Sequence, residues 1–188
     1  MLAVLALVGG VLLVRGGASS TPATDDPDLR PLRAAAALEP CPAGGGRELP
    51  ARTLPCLGGG ADVALARAGS GRPVLVTIWA TWCRPCVREV PLLQEFATRA
   101  SGRVDVLGVL HEDRPGNALE FARQTGMRYP SVVDEPGDVL RAFGSGPPIT
   151  VLLRADGRVA HVQRGEFDDL AQITTLVRDV LGVSVSAT

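Results

Sequence analysis

The 188-residue sequence has no lysine: every one of its 19 basic side chains is arginine, set against 20 Asp plus Glu for a net charge of −1. A balance so close to neutral gives no sequence-independent attraction to nucleic acid or to an acidic membrane surface. Histidine is scarce as well. His111 and His161 are the only two and sit in unrelated patterns, so a zinc site gathering four Cys or His ligands is not indicated. Both are expected to be surface or strand residues without a catalytic part. No apolar run approaches the roughly 20 residues that span a bilayer. The longest candidate, Met1 to Val14, is stopped by Arg15 and lacks the basic start of an export signal. It is read as an export signal or single membrane anchor without its basic head, in preference to a buried helix. No small-residue box precedes Cys41, which argues against a lipid anchor there. No internal repeat is visible.

The hydrophobic fraction of 46% suffices for one core, so one folded domain is expected. The chain divides into residues 1–15, the signal or anchor; 16–40, a flexible linker that is Ser/Thr/Pro/Asp-rich over 19–31 and could form a helical turn or two over 33–38; 41–60, a Gly/Pro-rich loop; 61–182, the domain; and 183–188, a tail. There are four cysteines, Cys41, Cys56, Cys83 and Cys86. The loop between the first two has little apolar material, and in an oxidising compartment a Cys41–Cys56 disulfide is expected to order it. Two unpaired thiols are the alternative.

The organising stretch is Trp79-Ala80-Thr81-Trp82-Cys83-Arg84-Pro85-Cys86. Residues 74–79 before it are short, β-branched and uncharged, the signature of a strand buried on both faces. After it, Val87, Val90, Leu93 and Phe96 recur at helical spacing, predicting a helix over 83–100 with Pro91 as a kink. A helix N-terminus stabilises a thiolate, so Cys83 is expected to be an exposed nucleophile and Cys86, one turn in, a shielded resolving thiol. Arg84 adds a positive charge, and Pro85 suits a first helical turn. Glu89 shares a helical face with Cys86 and is a candidate proton relay. Further along, 104–110 reads as a second inner strand, 117–125 as a helix stopped by Gly126, 131–133 as a strand, and 139–143 as a helical turn or two. Residues 149–153 and 159–163 form a hairpin about Asp156-Gly157, and 168–181 a closing amphipathic helix. Residues 62–65 read as a short edge strand. The expected fold class is α/β, a central mixed β-sheet with helices on both faces.

Trp82, Cys83, Cys86, Glu89 and Pro91 fit the pattern W-C-x-x-C-x-x-E-x-P. On these residues, and on Gly146-Pro147-Pro148-Ile149-Thr150 later in the chain, residues 50–182 resemble thioredoxin-like proteins of the extracytoplasmic TlpA/ResA type. The resemblance implies a thioredoxin-like fold with that type's insertion at about 111–144. It implies Pro148 as a cis-proline packed against the cysteines, and Trp82, Pro147 and Pro148 as substrate-binding residues. Here the residue before the cis-proline is itself a proline, which removes an N–H that the family offers to a bound peptide. The implied activity is thiol–disulfide exchange without a cofactor, on protein substrates with thiols or disulfides. A membrane electron donor or acceptor would restore the pair, and cytochrome c maturation or secreted-protein redox would be the setting. Motif content leaves reductase and oxidase directions open. A copper carrier using the same thiols as soft ligands is the alternative of another class, and a peroxidase is disfavoured by the spacing of Thr81 and Cys83.

Overall fold

The computed structural model describes residues 27–186. The segment over 1–15 expected to be a signal or anchor, the first part of the expected linker (16–26) and the last two residues lie outside the described residues. Five strands form the main sheet: β3 (Val74–Trp79), β4 (Asp105–His111), β5 (Ser131–Asp134), β6 (Ile149–Leu153) and β7 (Val159–Arg164), in the order β5-β4-β3-β6-β7. β3 runs parallel to β4, and β4 to β5, whereas β6 is antiparallel to both β3 and β7. All six residues of β3 are buried, as befits the central strand of a covered sheet. A further two-stranded sheet pairs β1 (Thr53–Leu54) with β2 (Val63–Ala64). The strand expected over 62–65 therefore exists but does not edge the main sheet.

Strand alternation divides the core in two. Leu75 and Trp79 of β3 face one layer, with Val90, Leu93 and Phe96 of α2 (Arg84–Ala100), Leu119 of α3 (Pro115–Thr125) and Ile173 and Val177 of α5 (Leu170–Leu181). Val74, Val76 and Ile78 face the other, with Val139 and Leu140 of α4 (Asp138–Phe143), Val63 of β2, Leu54 of β1 and the loop residue Leu49. Helices thus cover both faces, unequally. The helix ends follow capping chemistry: Asp169 accepts the Gln172 N–H at 2.9 Å to open α5, and Gly126 (φ 72°) closes α3. Buried Asp134 accepts the N–H groups of Val139 (2.8 Å) and Asp138 (3.2 Å), so the start of α4 satisfies its carboxylate. The hairpin turn rests on Gly157 at φ 82°. Pro91 does not end α2 and lies on its exposed side.

Two expectations need correction. The flexible linker does not extend to residue 40: Pro27–Leu29 is a 3₁₀ turn and α1 (Arg30–Ala36) follows, overlapping the helical turns allowed over 33–38, with Ala36 buried and Leu29, Leu32 and Leu38 against the core. Apolar residues at this spacing have a face to bury once α3 is alongside. The 41–60 stretch is a loop closed by the expected Cys41–Cys56 disulfide, and other contacts order it as well. Gly45 and Gly46 both donate to the carbonyl of Leu65 (3.1 and 2.9 Å), and Leu49, Leu54 and Leu57 are buried. At Gly44 a Cβ would collide with the Arg67 backbone, so this glycine serves close packing rather than looseness. In the 183–188 tail, Val185 is buried, and Arg103 binds the carbonyl of Ser184 at 2.7 Å.

Candidate active site

The candidate site stands where β3 passes into α2. Cys83 is the N-cap residue of α2, in extended conformation (φ −85°, ψ 100°), and its Sγ accepts the Cys86 N–H at 3.2 Å. A helix start leaves N–H groups without internal partners, and here one of them meets sulfur. Cys83 and Cys86 are disulfide-bonded, with Cα atoms 5.3 Å apart. The exposed nucleophile foreseen at Cys83 is only marginally open in this oxidised form, 5% exposed against 0% for Cys86. Arg84 is exposed on the first turn beside Cys83.

The antiparallel register of β3 and β6 ends at Ile78 and Ile149. Continued by one residue, it sets Pro148 opposite Trp79, at the mouth of the loop that leads to Cys83. The Pro147–Pro148 bond is cis, Pro148 is buried and Pro147 half-buried. Trp82 is 55% exposed and, with Val87 at 36%, forms the large exposed apolar surface beside the cysteines among the described residues.

Glu89 is buried, 1% exposed, on the same face of α2 as Cys86 and Leu93. Its Oε1 accepts the Phe167 N–H at 3.1 Å, while Oε2 has no protein partner. Burial pushes its carboxyl up to about 7, against the opposing pull of the Phe167 N–H, with a smaller push from the charge of Glu166. It is a carboxylic acid poised to gain or lose a proton near neutrality.

The second pair, Cys41 and Cys56, is also disulfide-bonded, closing a separation of 15 residues far from the first pair in sequence. It latches chain onto the outer edge of β5: Leu57 donates to Ser131, Val133 donates to Pro55, and Cys41 Sγ lies 3.3 Å from the Ser131 carbonyl. An otherwise bare strand edge is covered.

Sequence reasoning missed the contribution of residues 111–113. His111 is a strand residue, one of its two expected placements, and ends β4 buried, with its ring 6.0 Å from that of Trp82. Asp113 accepts hydrogen bonds from Thr81, the residue before Trp82. The available signal was topological: in a parallel sheet, residues just past the C-terminal end of one strand lie beside the loop leaving its neighbour.

The sequence-family model described as Redoxin matches residues 45–177. The chain belongs to the Redoxin family. Among its curated Redoxin-type relatives is "Thiol-disulfide oxidoreductase ResA" of Geobacillus thermodenitrificans (strain NG80-2), 35% identical over 106 residues, which are 54% of this chain and 61% of that one. "Thiol:disulfide interchange protein CycY" of Rhizobium leguminosarum bv. viciae is 33% identical over 63% of this chain and 60% of its own. The match thus spans about three-fifths of these relatives' length. A solved structure of a "putative Thiol:disulfide interchange protein DsbE" from Chlorobium tepidum superposes with a TM-score of 0.62 at 24% identity, covering 73% of this chain and 96% of that chain. The Redoxin chain has the thioredoxin-like fold, and its resemblance is to the ResA and TlpA kind.

Proposed function

We propose that the chain is an extracytoplasmic thiol–disulfide oxidoreductase in which Cys83 exchanges with partner proteins and Cys86 resolves the mixed disulfide. The observation that carries this reading is the Cys83–Cys86 disulfide at the N-cap of α2, with the Cys86 N–H directed at Cys83 Sγ. That N–H and the helix dipole favour negative charge on Cys83 when the bond is reduced.

In the reducing direction the Cys83 thiolate attacks one sulfur of a target disulfide, and the second target sulfur leaves as thiolate and takes up a proton. Cys86, giving its proton to Glu89 or to solvent, then attacks Cys83 Sγ and expels the first target sulfur. The target ends with two thiols, and Cys83–Cys86 holds the disulfide. Two electrons have moved to the target, and a dithiol donor returns the pair to its reduced state. Run backwards, the same steps oxidise a target dithiol. No bound cofactor enters either sequence. Trp82, Pro147 and Pro148 border the place where the target chain lies. Pro147 keeps its carbonyl but has no N–H to pair with it.

An oxidising compartment is supported by the second disulfide, Cys41–Cys56, which a reducing cytosol does not sustain. The resemblance to the ResA and TlpA kind supports a setting in cytochrome c maturation or secreted-protein redox, in either direction, with the 1–15 segment as signal or tether. No helix among the described residues is long and apolar enough to cross a membrane. The test is catalysis of a model protein disulfide's reduction by excess dithiol. Acceleration lost in Cys83→Ser supports the reading, and a wild-type rate equal to that of dithiol alone contradicts it. The reduction potential of the pair then sets the direction.

A further inference from the structure

β3 and β4 are parallel with Trp79 opposite Leu110, so residues 111–113 leave the sheet at the same end as residues 80–82. Three hydrogen bonds join the two segments. The N–H and the hydroxyl of Thr81 both donate to Oδ2 of Asp113, at 2.7 and 2.6 Å. The Trp82 indole N–H donates to the carbonyl of Glu112 at 3.3 Å. The other Asp113 oxygen accepts the Arg114 N–H at 2.7 Å, which fixes the carboxylate plane. Behind the indole stands the buried ring of His111, inclined by 59° to it.

This arrangement holds a residue that the core does not need. Trp82 is 55% exposed, so burial contributes little to ordering it. Glu112, whose carbonyl receives the indole N–H, sits at φ 45°, and among the described residues only Ala37 shares a positive φ without being glycine. Strained backbone of this kind persists where the surroundings over-determine it, and it concentrates at binding and catalytic sites. The ring so fixed adjoins Cys83. Val87, the other large exposed apolar side chain, lies one helical turn beyond, its N–H bonded to the Cys83 carbonyl. Cys83 thus lies in the chain between two exposed apolar side chains, one of them held by the segment that follows β4.

We propose that Asp113 is a positioning residue for substrate recognition. With the Glu112 carbonyl it locks Thr81 and Trp82 so that the indole presents a preset apolar face beside Cys83, suited to polypeptides with an apolar side chain next to the reacting cysteine. Presetting the ring removes the ordering cost that a free tryptophan would bear on binding. The proposal rests on the exchange function above and adds which substrates are preferred and which residue sets the preference.

The experiment uses the whole chain as wild type, Asp113→Ala, Asp113→Asn and Thr81→Val. Two substrates are compared: a disulfide-linked peptide with leucine beside the cysteine, and the same peptide with serine there. Acrylamide quenching of tryptophan fluorescence is read in parallel; Trp79 is buried, so quenching reports Trp82. For Asp113→Ala the expected KM for the leucine peptide rises about fivefold or more, with a smaller change in kcat. The leucine-over-serine preference shrinks and quenching increases. Asn keeps an oxygen acceptor for Thr81 and is expected to restore most of the preference. Thr81→Val loses one of the three bonds and is expected to move every readout the same way by less, which keeps the test available should the alanine variant not fold. Unchanged quenching together with an unchanged leucine-over-serine ratio in a folded variant overturns the proposal, and so does an equal rise in KM for both peptides. Absence of turnover by the wild type would overturn the exchange reading instead, with quenching still reporting whether Asp113 holds the ring.

Discussion

Glu89 on α2 accepts the backbone N–H of Phe167, just before α5, at 3.1 Å, and so joins the helix that carries the cysteines to the one that closes the domain. The carboxyl is buried with its other oxygen unpartnered. A neutral acid tolerates that setting and a carboxylate does not.

The pH dependence follows with a definite sign. Folding raises the Glu89 pKa from about 4.5 to about 7, so between those values the folded chain keeps a proton that the unfolded chain has lost. Stability from this site is full below the unfolded value and is lost as pH rises through about 7. Glu89→Gln can still accept from Phe167 but does not titrate. Between pH 5 and pH 8, denaturant melts should show the variant gaining on the wild type by on the order of 3 kcal/mol. With Glu89 as proton relay the wild-type exchange rate should inflect near pH 7, and the variant should lack that inflection. Parallel pH dependences in the two proteins would remove Glu89 from the proton path.

Much of this arrangement is legible in the sequence. Residues 74–79 are short, β-branched and uncharged, Asp156-Gly157 marks the hairpin, and the C-x-x-C pair falls between a strand and an amphipathic helix. Less legible are features made by contacts distant in sequence. Local pattern allows a helical turn or two over 33–38 but does not reveal that Ala36 and its leucine neighbours pack, because the face they bury belongs to α3 and the core. Full burial of Glu89 depends on the Phe167 segment, 78 residues away. The grip of Asp113 on Thr81 requires strand order, which local pattern does not encode.

The latch on the β5 edge should be measurable. Replacing Cys41 and Cys56 by serine opens a loop of 15 residues, a loss of about 3 kcal/mol in the chain-entropy account. Since Leu49, Leu54 and Leu57 still bury their side chains, the rest of the domain should remain folded, with amide exchange quickening over residues 41–57. A melting midpoint equal to the wild type's would show the bond to be without structural effect.

Gly108 in the middle of β4 should not tolerate a side chain. A Cβ there would overlap Ser131 Oγ and approach Trp79 Nε1 to 2.9 Å. Gly108→Ala is expected to cost about 1–3 kcal/mol in denaturant unfolding, as overpacked cores do. Adding Ser131→Ala removes the first obstacle and should recover part of the loss. Strict additivity of the two changes would mean that Gly108 and Ser131 do not compete for this space.

The division of labour between the two reactive cysteines is tested most directly by trapping. Cys86→Ser leaves Cys83 able to attack and nothing to resolve the product, whereas Cys83→Ser leaves only the fully buried thiol. Each variant is mixed with a disulfide-bonded protein substrate, quenched in acid, and its covalent adducts are identified by mass spectrometry. Adducts through Cys83 in Cys86→Ser, with few or none in Cys83→Ser, are the expected result. Equal trapping by both variants, or adducts through Cys86 alone, would contradict it.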